Sequence, residues 1–124
     1  MSAFRPPVDL LALATEDGSH TLRSEQLGEQ YHSVHGAVQE SMHVFIEAGL
    51  RSIDAREVTV LEVGLGTGLN ALLTLREAGV DDRKVDYTAL EPFPLPWETV
   101  RALEHPKAIG APLLEEAFER MMTV

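Results

Sequence analysis

The chain has 124 residues, which is room for one domain, and its 44% hydrophobic content is enough for a compact core. It has no cysteine, which excludes disulfides, thiolate metal sites and cysteine nucleophiles. Its net charge is −10, and no stretch supplies the basic face usual in a nucleic-acid binder. No run approaches the ~18 apolar residues of a membrane span, and the apolar stretch 10–14 is shorter than the roughly 7–15 residues of a signal-peptide core. A cytoplasmic protein with no membrane partner is expected.

Residues 1–8 contain Pro6-Pro7 and read as an extended arm. Residues 10–15 read as a strand. Glu16-Asp17-Gly18-Ser19 is a turn, because Asp-Gly supplies the positive φ of a tight hairpin. Residues 20–25 pair back as a second strand. Gln26-Leu27-Gly28-Glu29 is another turn, and 30–33 a short third strand. Residues 1–35 are therefore an N-terminal arm and β-hairpin.

Residues 36–53 carry one apolar stripe, Val38, Met42, Phe45, Ile46, Leu50 and Ile53, at helical spacing. Gly49 weakens the end of this helix, so it is expected to stop near Ala48. Residues 51–56 are a polar connection. Residues 58–63 are nearly all apolar, as expected of a parallel strand covered on both faces. A second helix follows over 69–78, buried through Leu69, Leu72, Leu73 and Leu75, with Gly79 as its C′ stop. Residues 81–84 are a solvated loop, and 85–90 form the next strand, ending at Glu91.

Strand, helix, strand makes a right-handed βαβ unit. Pro92, Pro94 and Pro96 end the second strand. A helix is expected over 97–104, a loop between His105-Pro106 and Ala111-Pro112, and a last amphipathic helix over 113–122. The fold class is α/β: the hairpin, then over 36–124 the first βαβ half of a Rossmann-like fold with a truncated sheet. A full doubly wound sheet has five or more strands. Two strands leave an apolar edge open, to be covered by further chain or by a partner such as a second copy.

The chemistry centres on Glu62-Val63-Gly64-Leu65-Gly66-Thr67-Gly68-Leu69-Asn70, between the first parallel strand and its helix. Glycines there let a cofactor approach the backbone without a Cβ clash. A dinucleotide fingerprint needs glycine at position 69, where this chain has leucine. Gly-x-Gly-x-Gly behind a carboxylate favours S-adenosylmethionine (SAM) over NAD or FAD. Glu62 then faces the methionine ammonium, directly or through water. A strand-to-helix turn that simply requires glycine is the plain alternative. Glu91, 23 residues after Gly68, suits the ribose hydroxyls of either cofactor class.

Tyr31-His32-Ser33-Val34-His35 is a polar cluster before the long helix. It either caps that helix and lines a pocket mouth or packs in the hairpin. Its spacing matches no common zinc pattern, and no metal is expected. Glu40-Ser41 lies in the first helical turns, where Glu40 either satisfies the helix dipole or contacts the pocket. Phe93 either faces an adenine or packs in its proline-rich loop. His20 and His105 are expected to be exposed.

With these residues in view, the chain resembles the MnmC-like (MnmD-type) tRNA methyltransferase family over most of residues 15–98. The likeness rests on Thr15-Glu16-Asp17-Gly18-Ser19-His20-Thr21-Leu22, on 31–41 with Val44-Phe45-Ile46, and on the glycine loop. It implies SAM-dependent methylation of the amine of 5-aminomethyl-(2-thio)uridine at the tRNA wobble position, with tRNA as partner. It carries cofactor roles onto Glu62, Gly64, Gly66, Gly68, Asn70 and Glu91, and places Tyr31, Ser33, Glu40 and Ser41 near the pocket. Some family members fuse this domain to an FAD-dependent oxidoreductase, and nothing here resembles that part. The family's late Asp-Ala-Phe-x-Pro segment, whose aspartate serves the amine, has no counterpart in these residues. The chain therefore reads as an N-terminal fragment with no assigned catalytic residue, or as a non-catalytic SAM-binding or dimerising relative.

Overall fold

The computed structural model describes residues 10–14, 20–24, 29–30 and 36–123, the first three stretches as backbone. Those three are strands β1 (Leu10–Ala14), β2 (His20–Ser24) and β3 (Glu29–Gln30) in one antiparallel sheet, order β1-β2-β3. Leu10 pairs with Ser24 and Ala14 with His20, as a hairpin requires. The expected Asp17-Gly18 turn, the proline arm, and residues 31–33 of the expected third strand lie outside the described residues.

The expected single helix over 36–53 is three pieces. Helix α1 (Ala37–Ser41) passes into a wider π-helical stretch, Met42–Glu47, and then a short 3-10 turn, Leu50–Ser52. The widening shows in the Ala48 N–H, which donates to the His43 carbonyl at 3.1 Å, five residues back. At Gly49 the backbone leaves helical geometry (φ −101°, ψ −87°), and a Cβ there would run into the Phe45 carbonyl oxygen. Only glycine fits that approach. The buried stripe consequently ends at Leu50, and Ile53 is extended and exposed.

Strands β4 (Glu57–Val63) and β5 (Lys84–Leu90) pair in parallel from Glu57↔Lys84 to Val63↔Leu90, joined by helix α2 (Leu69–Asp81). Leu69, Leu72 and Leu73 on α2 are almost wholly buried and join Val58 and Ile46 in the core. Each such side chain contributes about 1.5–3 kcal/mol by leaving water. Gly79 does not stop α2. The helix runs on to Asp81, and Asp82 takes the left-handed turn (φ 51°) while the Arg83 N–H caps the Ala78 carbonyl at 3.1 Å. Aspartate tolerates that conformation better than most residues.

Residues 81–84 do more than face solvent. The Arg83 guanidinium donates to the carbonyls of Leu50, Ile53 and Ala55, at 3.2, 2.8 and 2.9 Å, and so pins the polar connection. Arg51 and Glu77 form a two-pronged ion pair at 2.8 and 3.0 Å beside it.

Among the described residues, the parallel sheet is covered on one face, not two. Strand alternation turns Val58, Val60 and Glu62 inward, while Leu61 (64% exposed), Val63 (79%) and Leu90 (53%) lie open. A near-continuous apolar run predicts two covered faces, but the described helices supply one layer.

After the prolines, α3 (Trp97–Ala102) ends two residues before the expected limit, because Glu104 turns left-handed. The expected loop then holds a short helix, α4 (His105–Ala108), with Pro106 in its first turn. This turn directs His105 inward. It is fully buried against Phe118, 6.5 Å between rings, and not exposed as its isolation in the sequence suggested. A 3-10 turn, Pro112–Leu114, leads into α5 (Glu115–Met122), whose Phe118 meets Trp97 edge to face at 5.7 Å.

Candidate functional site

The end of β4, the glycine loop and the start of α2 form the floor of a cavity of about 290 Å³. Gly64, Gly66 and Gly68 all take positive φ, at 86°, 57° and 80°. Side-chain residues pay roughly 1–2 kcal/mol for such a conformation. Two of the three glycines serve the cavity and one serves the core. Gly64 and Gly66 line the cavity, and a Cβ on Gly64 would meet nothing within 4 Å. Gly68 faces the other way: a Cβ there would lie 2.5 Å from Met122 Sδ and 3.0 Å from Phe118 Cε1. The last helix thus packs directly beneath the loop.

Glu62 projects into the cavity from the end of β4 and is 8% exposed. Both its oxygens are held. Tyr87 donates its hydroxyl to Oε1 at 2.8 Å, and Asn70 donates Nδ2 to Oε2 at 2.9 Å. Burial pushes the Tyr87 hydroxyl far above the usual tyrosine range, and the hydrogen bond to Glu62 and its charge push it further. It therefore remains a donor. Asn70 Oδ1 is buried with no hydrogen-bond partner among the described residues. An acceptor in that state lacks a donor that a ligand can bring.

Glu91 holds the loop from the neighbouring strand. Its Oε1 accepts the Gly66 N–H at 2.8 Å and its Oε2 the Phe93 N–H at 3.2 Å. It is half-buried and does not line the cavity itself. From the opposite wall, α1 and the π-helical stretch contribute Glu40, Ser41, Val44 and Phe45. Ser41 is buried and Glu40 exposed. Tyr31 and Ser33, the other two expected pocket residues, lie outside the described residues.

Sequence reasoning missed Tyr87, Val44 and Phe45. The signal for Tyr87 was strand alternation. Val85, Tyr87 and Ala89 share the inward face with Glu62, and Tyr87 pairs with Val60, one diagonal step from that carboxylate. Val44 follows Glu40, and Phe45 follows Ser41, by four residues, the spacing that puts each pair on one face of a helix.

Strand, glycine turn, helix and returning parallel strand, with a carboxylate at each strand end, define a small α/β domain compatible with part of a Rossmann-like fold. No protein-family model matches the chain. It is similar to the tRNA 5-methylaminomethyl-2-thiouridine biosynthesis bifunctional protein MnmC of Delftia acidovorans, at 33% identity over 116 residues, covering 89% of this chain and 17% of that protein. The MnmC of Burkholderia multivorans is 35% identical over 92 residues, covering 69% of this chain and 14% of its own length. Among solved structures, MnmC2 from Aquifex aeolicus superposes with a TM-score of 0.58 at 28% identity, covering 82% of this chain and 36% of that one. The chain belongs to the MnmC-like family and spans a minor part of the length of the relatives it matches. Among the described residues, no helix is long and apolar enough to cross a membrane.

Proposed function

We propose that this chain forms the SAM-holding part of a tRNA methyltransferase whose substrate is the amine of 5-aminomethyl-(2-thio)uridine. The observation that carries the reading is the Glu62 carboxylate, held by the Asn70 Nδ2 amide, at the floor of a cavity opened by Gly64. The charged groups lining that cavity are Glu40 and Glu62, both carboxylates. Such a lining attracts a cation and repels a pyrophosphate. The residues fit SAM, which carries an ammonium and a sulfonium, and do not fit NAD or FAD. Relatives named for tRNA 5-methylaminomethyl-2-thiouridine biosynthesis support a tRNA substrate, and the amine is the acceptor that the family resemblance implies.

When bound, SAM supplies an electrophilic sulfonium methyl to an attacking amine. Glu62, oriented by the Asn70 amide, would hold the ammonium end and so fix the ligand's position in the cavity. Gly64 allows the ligand to approach the backbone. Glu91, just outside the cavity lining, keeps a spare lone pair on each oxygen after accepting two N–H groups, and a ligand that extends past Gly66 would place its ribose hydroxyls there. Alignment of the two reactants is the main source of rate in a displacement of this kind. No residue described here is assigned as the base for the amine.

Mass spectrometry of wobble-uridine nucleosides, after incubating hypomodified tRNA with SAM and this chain, tests the reading. Gain of one methyl group is the expected result, and its absence excludes activity of the chain as given. A second reading, a non-catalytic module that binds SAM or dimerises, is favoured by the open Leu61, Val63 and Leu90 face. Calorimetry with SAM and light scattering separate the two. A stable dimer without SAM heat supports the module, and a monomer that binds SAM removes dimerisation.

A further inference from the structure

We infer that Tyr87 is the positioning residue that makes Glu62 selective for the amino-acid end of its ligand, an inference that rests on the SAM reading above. A carboxylate on the last turn of a strand end is free to rotate about its side-chain bonds. Here two donors on opposite sides remove that freedom: the Tyr87 hydroxyl on Oε1 and the Asn70 amide on Oε2. Each oxygen retains one lone pair. The carboxylate plane is set, and the remaining acceptor capacity belongs to the cavity that Glu62 lines.

Tyr87 is suited to this because its own geometry is fixed elsewhere. It lies on the covered face of β5, in register with Val60, and its ring sits 6.5 Å from that of Phe45, a cavity-wall residue. The ring is thus held between the sheet and the π-helical stretch, with its hydroxyl 2.8 Å from Glu62 Oε1. A phenylalanine would preserve the packing and remove only the donor. Its held-off ionisation keeps the hydroxyl proton on the tyrosine across the physiological range. The contact therefore orients the carboxylate by donating to it.

The test compares two ligands that share the adenosine thioether and differ in the amino-acid end. S-adenosylhomocysteine carries the amino-acid end, and 5′-methylthioadenosine lacks it. Calorimetric titration of the wild type and Tyr87→Phe with both is expected to show about a tenfold loss for S-adenosylhomocysteine, the size of one charge-assisted hydrogen bond. Affinity for 5′-methylthioadenosine is expected to change less than twofold. Equal losses for both ligands make Tyr87 a structural residue and overturn the inference, as does no loss for either. A wild type that binds neither ligand overturns the SAM reading and this inference with it. A wild type that binds both equally shows that Glu62 does not read the amine. The second measurement needs no variant. Alkaline titration of tyrosine absorbance should leave one of the two tyrosines un-ionised well above pH 10. Two ordinary titrations near pH 10 show that the hydroxyl is not on the carboxylate, and overturn the inference.

Discussion

Glu91 Oε1 accepts the Gly66 N–H at 2.8 Å, so the end of β5 holds the middle of a loop that belongs to β4 and α2. The same carboxylate accepts the Phe93 N–H with its other oxygen. Replacing it by alanine leaves both donors without their acceptor, at a cost of about 1–2 kcal/mol. Thermal unfolding of Glu91→Ala should fall by several degrees, and SAM affinity by more than tenfold. Glu91→Gln, which keeps one neutral acceptor, should lie between that variant and the wild type in both measurements.

The glycines of the loop separate by what lies behind them. Gly68→Ala places a methyl against Met122 and Phe118 and adds left-handed strain, for a loss of about 2–4 kcal/mol. Shortening the opposing side chain in Gly68→Ala with Met122→Ala should return part of that loss, because methionine is the nearer contact. Gly64→Ala meets no protein atom and should lose only about 1–2 kcal/mol of stability. Its methyl enters the ligand's approach, so its affinity for SAM should fall further than its stability suggests. Chemical denaturation and calorimetry on the three variants check the ordering.

These contrasts show what was legible from the residues and what was not. The βαβ unit was readable because Val58, Val60, Leu69, Leu72 and Leu73 follow the periods of their elements. The cavity was readable because three glycines and Glu62 sit at a strand end. Which glycine faces the cavity was not, since that depends on Met122, more than fifty residues away in sequence. Gly79 illustrates the same limit: glycine is the common helix stop, yet here Asp82 takes the left-handed turn. The burial of His105 rested on a four-residue helix in a stretch whose two prolines suggested a loop. The open face of β4 was hidden because Leu61 and Val63 are as apolar as their buried neighbours.

Glu77 gives the fold a dependence on acid. Its hydrogen bonds from Arg51 hold its carboxyl below the usual glutamate range, against the opposing effect of burial. The folded protein therefore binds that proton less readily than the unfolded chain does. The contribution is fully present above the unfolded value near pH 4.3–4.5 and is lost as pH falls through the lower folded value. Arg51→Gln should lower the melting temperature at pH 7 and narrow the gap between pH 7 and pH 3. Melting temperatures of both proteins across that range measure it.

Among the described residues, Leu61, Val63 and Leu90 make an open apolar face of the sheet. Leu61→Thr with Val63→Thr keeps side chains that suit a strand, so stability should change by less than about 0.5 kcal/mol. Concentration-dependent association, followed by light scattering, should decrease, because the contiguous apolar patch is broken. A large loss of melting temperature would show that the face is covered within the protein itself.

The most direct measurement of the central claim is calorimetric titration of SAM into the wild type and into Glu62→Gln, which keeps the shape of the side chain and removes its charge. The account predicts one-to-one binding to the wild type and at least a tenfold loss in Glu62→Gln. Equal affinities in the two proteins, or binding of NAD in place of SAM, would contradict it.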